Sequence, residues 1–151
     1  MSDIRITDVE FVGLRSRLPT PAIFAWGSAS ERNIGLVRVT CDDGTVGWGA
    51  TSVTFPLWSL EERAATVTAI RDLCIGESIG SPHQITDAAD RAWQRTNPLR
   101  LLWSHVALSA SIGAIEMAMW DALGKHRAES VWKTLGGTAL DAPLYAVGVG
   151  G

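Results

Sequence analysis

The stretch SHVALSASIGAIEMAMWDALGKHRAESVWKTLGG, residues 104–137, decides how the rest of the chain can fold. Ile112, Ile115, Met119 and Leu123 follow the 3-4-4 steps of one helix face, while Val106, Gly113, Met117 and Trp120 line much of the other. Glu116 is the only formal charge between Val106 and Trp120, so the pattern predicts a long helix covered on two sides. Asp121 precedes Lys125 by four residues, the favourable order for an ion pair within a helix. A short helix and the Gly136-Gly137 stop follow. Such a segment is core: it demands cover from the remaining residues and offers little chemistry of its own.

The chain has material to supply that cover. Its 151 residues fit one domain, which at that size buries roughly 70% of its unfolded surface. The apolar fraction of 46% and seven Trp against one Tyr exceed what a monomer of this length readily hides. A net charge of −3, with thirteen basic residues scattered singly, provides no footprint for nucleic acid or anionic lipid, and neither is expected as a partner. The N-terminus mixes charges into its apolar residues, unlike a signal peptide. The uncharged run Leu101–Ile115 is shorter than the roughly 20 residues a bilayer requires. Cys41 and Cys74 lack metal-ligand spacing, which predicts two free buried thiols in a reducing compartment, the cytoplasm.

Residues 4–18, IRITDVEFVGLRSRL, place Ile4 and Ile6 on one parity and Val9 and Phe11 on the other, a strand containing a shift or bulge. Pro19-Thr20-Pro21 predicts its end and a loop from Pro19 to Arg32. Ile23, Phe24 and Trp26 stand in that loop, where they either fold back onto the core or line a ligand pocket. Val37, Val39 and Cys41 share a parity before the turn signal Asp42-Asp43-Gly44-Thr45, giving a hairpin into a third strand. Gly47 and Gly49 flank Trp48 and make that strand thin enough for another backbone to approach. A second aromatic loop, Thr51–Trp58, leads to a capping box with Ser59 as N-cap and Glu62 reaching back. Leu60, Ala64, Val67, Ile70 and Cys74 continue at helical spacing. After a break at Ile79-Gly80-Ser81-Pro82, Ile85, Ala88, Ala89, Ala92 and Trp93 support a second helix ending near Thr96, and Pro143–Val149 reads as a fresh strand.

No catalytic constellation is present. His83, His105 and His126 lack ligand spacing, the carboxylate pairs Asp42-Asp43 and Glu61-Glu62 have turn and cap roles, and Gly148–Gly151 has no helix beyond it to hold a phosphate. The expected catalytic and metal-binding residues are therefore none.

Five phrases in one order nevertheless carry a resemblance: CDDGTVGWG at 41–49, IGSP at 79–82, AIEMAMWDALGK at 114–125, LGG at 135–137 and PLYA at 143–146. Together they resemble the N-terminal capping domain of the mandelate racemase and muconate lactonizing enzyme group of the enolase superfamily. Ala128 and Ser130 depart from it, standing where the group often has Gly and Pro. The resemblance implies an α+β fold: a three-stranded antiparallel meander and a helical bundle over residues 1–137, then a linker and the first strand of a (β/α) barrel over 138–151. It implies chemistry on a carboxylate-bearing acid sugar, through Mg²⁺ and proton abstraction α to the carboxylate. A dehydratase is the first choice, a racemase or cycloisomerase the next. The implied acid, base and metal ligands belong to barrel strands, so none maps onto this chain, which is not expected to be catalytic alone. The resemblance also implies that Pro19–Arg32 and Thr51–Trp58 are substrate-specificity loops. Phe24, Trp26, Thr54, Phe55 and Trp58 are then candidate wall residues, and Trp48, Trp93 and Trp120 are core. The implied partners are a barrel domain and further copies of the chain. The alternative is a stand-alone oligomerising module without enzymatic activity.

Overall fold

The structure, a computed structural model, describes residues 3–25, 27–51, 59–102, 104–138, 141, 143 and 144. Three strands, β1 (Ile6–Phe24), β2 (Gly27–Cys41) and β3 (Val46–Thr51), form an antiparallel sheet in the order β1-β2-β3. Helices α1 (Leu60–Ile70), α2 (Pro82–Arg95), α3 (His105–His126) and α4 (Val131–Thr134) follow, which is the expected α+β arrangement of meander and helices. The strand expected at Pro143–Val149 lies outside the described residues, apart from Pro143 and the exposed Leu144.

The parity change in β1 is a bulge. Ile6 pairs with Cys41 and Asp8 with Thr40, leaving Thr7 as the extra residue, so that Ile4, Ile6 and Val9 are all buried. The β2–β3 turn holds Gly44 at φ +84°, with Asp43 accepting from the Thr45 backbone N–H at 2.8 Å. His126 Nδ1 meets Asp43 Oδ2 at 2.8 Å, tying this turn to the end of α3.

The expected loop at Pro19–Arg32 is instead part of a long hairpin: β1 continues to Phe24 and β2 begins at Gly27. Pairing runs to Arg17–Glu31 and resumes at Ala22–Ala29, so Leu18–Pro21 pass opposite Ser30 alone. Both prolines fall in the skipped stretch on an edge strand, where no ladder donor is required. Proline therefore interrupts the pairing without ending the ribbon.

Helix α3 lies across β3 at backbone contact. A Cβ built on Gly47 would stand 2.0 Å from the Ala118 carbonyl oxygen, and one on Gly49 would stand 2.0 Å from that of Ala114. The helix answers with small residues, Ala107, Ser111, Ala114, Ala118 and Ala122, all buried. Leu108, Ile112, Ile115, Met119 and Leu123 fill the adjacent core. Two side chains bind the free edge of β3: Asp121 Oδ2 accepts from the Trp48 N–H at 2.8 Å, and Lys125 Nζ donates to the Val46 carbonyl at 2.9 Å. Asp121 and Lys125 also pair with each other at 2.6 Å. Helix α3 is covered on two sides as expected, by the sheet and by α1 and α2, but Val106 and Met117 are exposed because the small-residue stripe, and not the face expected through them, meets the sheet. By length and mean hydropathy α3 could cross a membrane, yet more than half of its apolar window is buried within this fold.

Two other expectations change. Trp48 is exposed because the alternation that turns Gly47 and Gly49 toward α3 turns it to the opposite sheet face; Trp93 and Trp120 do pack on the core. In α1, Ser59 accepts from the Glu62 N–H as expected, but it is the Glu61 carboxylate that folds back on its own N–H and on Ser59, which holds it below the usual carboxylate range. Cys41 and Cys74 are free and buried, and burial pushes their thiols up to about 11 and about 12. Such thiols are poor nucleophiles at neutral pH.

The stops after α3 and α4 are both Schellman motifs. After α3, Glu129 N–H donates to the Gly124 carbonyl at 2.8 Å and Ala128 N–H to that of Lys125 at 3.1 Å. After α4, Gly137 and Gly136 make the same two bonds to Trp132 and Lys133. Gly136 sits at φ +87°, but the matching position after α3 is Ala128 at φ +51°. An L-residue there carries a Cβ penalty of roughly 1–2 kcal/mol.

Three substitutions test this packing by thermal or denaturant unfolding. Gly49→Ala drives a methyl into a backbone carbonyl that cannot rotate away and is expected to cost about 3 kcal/mol or more. Ala128→Gly relieves the left-handed strain at an exposed site and should stabilise by about 1 kcal/mol. Glu77, largely buried, takes a two-point bond from Arg91 (2.6 and 3.2 Å) and a third contact from Arg95; the Arg91 bonds chiefly hold its carboxyl below the ordinary value. A depressed folded value contributes stability fully present above the unfolded value, about 4.3. Glu77→Gln should thus cost about 1–2 kcal/mol at neutral pH, and the gap should close as pH falls through the folded value.

Candidate functional site

The hairpin ribbon and the segment between β3 and α1 start from the same place. Thr51, the last residue of β3, pairs with Gly35 of β2, and Gly35 pairs with Gly13 of β1. Beyond this row, among the described residues, β2 pairs only with β1, from Leu14–Ile34 to Phe24–Gly27, as a two-stranded ribbon. Glycines at both positions let large neighbours converge: a Cβ on Gly35 would stand 2.8 Å from Thr51 Cγ2 and 2.9 Å from the Phe11 ring, and one on Gly13 would stand 3.4 Å from Leu60. Leu60 opens α1, so residues 51 and 60, which bracket the second candidate segment, both lie against the root of the ribbon.

Charge reinforces this junction. Arg15 in the ribbon reaches Glu61 in the first turn of α1 at 2.9 Å and Glu31 on the neighbouring strand at 3.6 Å. These pairs are exposed and orient more than they stabilise. At the tip, Phe24 pairs with Gly27 and Ile23 with Ser28. Ile23 is 86% exposed and Phe24 41%, so neither has folded back onto the domain core. Of the five candidate wall residues, the described structure places Phe24 at the ribbon tip; Trp26, Thr54, Phe55 and Trp58 lie outside the described residues.

Two buried polar residues beside the junction were not singled out by sequence reasoning. Arg63 is fully buried, and the loss of solvent drives its proton affinity down against the opposing pull of Glu62. The signal was available: Leu60, Arg63, Val67, Ile70 and Cys74 follow 3-4-3-4 steps, a better face than the one drawn through Ala64, which is only half-buried. Thr51 is 5% exposed, with its Oγ1 lacking a partner among the described residues.

The implied Mg²⁺ finds no fit here. Among the described residues no three His, Cys, Asp or Glu side chains come together. The acidic groups serve structure instead: Asp121 holds β3, Glu77 holds Arg91 and Arg95, Asp8 holds Arg71 at 2.7 Å, and Asp43 holds its turn. No step through a metal is derived from these residues.

A sheet with one thin edge strand lies under a small-residue helix, and the residues that bracket the two candidate segments meet at one end of it. Residues 6–136 match the mandelate racemase/muconate lactonizing enzyme N-terminal domain family, and the chain belongs to that family. It is 33% identical to D-galactarolactone cycloisomerase of Agrobacterium fabrum, over 96% of this chain and 36% of that protein. It is 32% identical to D-galactonate dehydratase of Klebsiella pneumoniae, over 77% of this chain and 28% of that protein. Among solved structures, an enolase-superfamily member from a Polaromonas species superposes with a TM-score of 0.76 at 27% identity, covering 97% of this chain and 37% of that one. A Bradyrhizobium enolase complexed with magnesium and mandelic acid shares the fold, with a TM-score of 0.72 at 24% identity over 92% of this chain and 36% of that one. The chain thus spans about a third of the length of the relatives it matches.

Proposed function

We propose that this chain is the substrate-capping domain of a Mg²⁺-dependent enolase-superfamily enzyme that removes a proton α to the carboxylate of an acid sugar. Dehydration is the first choice of reaction, and racemisation or cycloisomerisation the next. The observation that carries the reading is the shared root of the two candidate segments at the Gly13–Gly35–Thr51 row, on a chain whose residues 6–136 match the family's N-terminal domain. Relatives named for galactarolactone and galactonate support the choice of an acid sugar as substrate.

In this reading the ribbon tip with Phe24 and Trp26, and the second segment with Thr54, Phe55 and Trp58, wall the mouth of a barrel domain. Apolar walls exclude water from the reacting carboxylate and select the substituents next to it. Arg15 and the glycine row set the angle of the ribbon over that mouth. Proton transfer, and the metal that stabilises charge when bound, belong to the barrel. The two buried thiols support a reducing compartment, and we place the protein in the cytoplasm. The alternative, a self-associating module without catalysis, draws support from the exposed apolar residues of the sheet.

Residues 1–151 incubated with Mg²⁺ and a panel of acid-sugar acids in deuterated water should exchange no α-proton by NMR; exchange would overturn the assignment of the chemistry to a barrel. In a polypeptide joining this domain to a barrel, Phe24→Ala should lower kcat/KM about tenfold or more for some acid sugars and leave others unchanged. A uniform effect across substrates would remove Phe24 from the wall.

A further inference from the structure

Two hydroxyls inside the fold have no bond to make with their neighbours. Thr51 Oγ1 and Ser111 Oγ are shut off from solvent and lack a partner among the described residues. Thr51 is 5% exposed and Ser111 is fully buried. Elsewhere in the helices Thr66, Thr68 and Thr86 each donate to the carbonyl four residues back, at 2.8, 2.8 and 3.2 Å. The Ala107 carbonyl stands in the same relation to Ser111, yet the Ser111 hydroxyl is turned away from it.

The register of α3 on β3 brings the two hydroxyls together. A Cβ on Gly47 would meet Ala118 and Ala122, and one on Gly49 would meet Ala114 and Ala118, so two residues along the strand match four along the helix. Those steps are about 6.7 and 6.0 Å. The next inward residue of the strand is Thr51, and the next residue of the buried helix stripe beyond Ala114 is Ser111. Gly47 and Gly49 touch the helix backbone because they carry no Cβ, whereas Thr51 turns a branched side chain the same way, so strand and helix part here. The Thr51 methyl packs on Gly35, where a Cβ would stand 2.8 Å from it, and this directs the hydroxyl away from β2. We propose that Thr51 Oγ1 and Ser111 Oγ hold one ordered water between the end of β3 and α3. Each hydroxyl can donate or accept, so the site suits a molecule that does both. Two dry hydroxyls would cost more than the confinement of that water. The water ties the last residue of β3, from which the second candidate segment departs, to the first half of α3. This assignment does not depend on the capping role proposed above.

Thr51→Val and Ser111→Ala remove the hydroxyls at nearly constant shape. With the water bound, each should lower the Tm of the chain by about 3 °C. The double variant should fall little further than either single one, because one substitution already strips the water of half its anchors. Dry hydroxyls would give the opposite sign, each substitution raising Tm by relieving an unmade bond. Either that rise or two losses that simply add overturns the proposal. In water-selected nuclear Overhauser spectra of the wild-type chain, the Thr51 methyl and the Ser111 β-protons should show cross-peaks with the sign of a long-lived internal water. Spectra without them overturn it as well.

Discussion

The approach of α3 to β3 fixes most of what surrounds it. Helix and strand meet at main-chain distance only because Gly47 and Gly49 carry no Cβ and because the helix offers alanines and Ser111 opposite them. Asp121 and Lys125 then occupy donor and acceptor positions on the strand edge, which blunts an edge that would otherwise recruit other strands. The close contact leaves α3 free to bury Leu108, Ile115 and Leu123 in the core beside the sheet.

From that contact the site follows by geometry. Among the described residues β3 reaches Thr51, level with Gly35 and Gly13, and β1 and β2 pair on beyond that row. The ribbon and the segment entering α1 share this row, and Arg15 bridges them to Glu61. The acidic residues around this row are committed to turns, caps and ion pairs.

Much of the fold was legible in residues. The bulge near Ile6, the thin strand at Gly47 and Gly49, the Asp121–Lys125 pair, the Ser59 cap and the double-glycine stop each have a local physical cause that sequence displays. What escaped were features set by pairing across distance. Pro19 and Pro21 signal the end of a strand only if their positions must donate to a neighbour; opposite a single residue on an edge they need not. Trp48 looks like core by composition, yet the glycines beside it claim the inner face. Arg63 lies on the buried stripe of α1, but its charge argued for the surface. Of the candidate site, the junction of the two segments was legible as a pair of aromatic-rich connections; their common root required the strand register.

The skipped pairing at Leu18–Pro21 has a consequence for how this architecture can diversify. Everything below Arg15 is tied to α1 and the glycine row, while everything above it is a two-stranded ribbon that already tolerates unequal strand lengths. Residues added or removed in matched pairs beyond that point preserve which side chains face inward, and so alter the reach of the tip without disturbing the base. The ribbon is an adjustable arm on a fixed mount, and its length is a variable that selection can tune separately from folding.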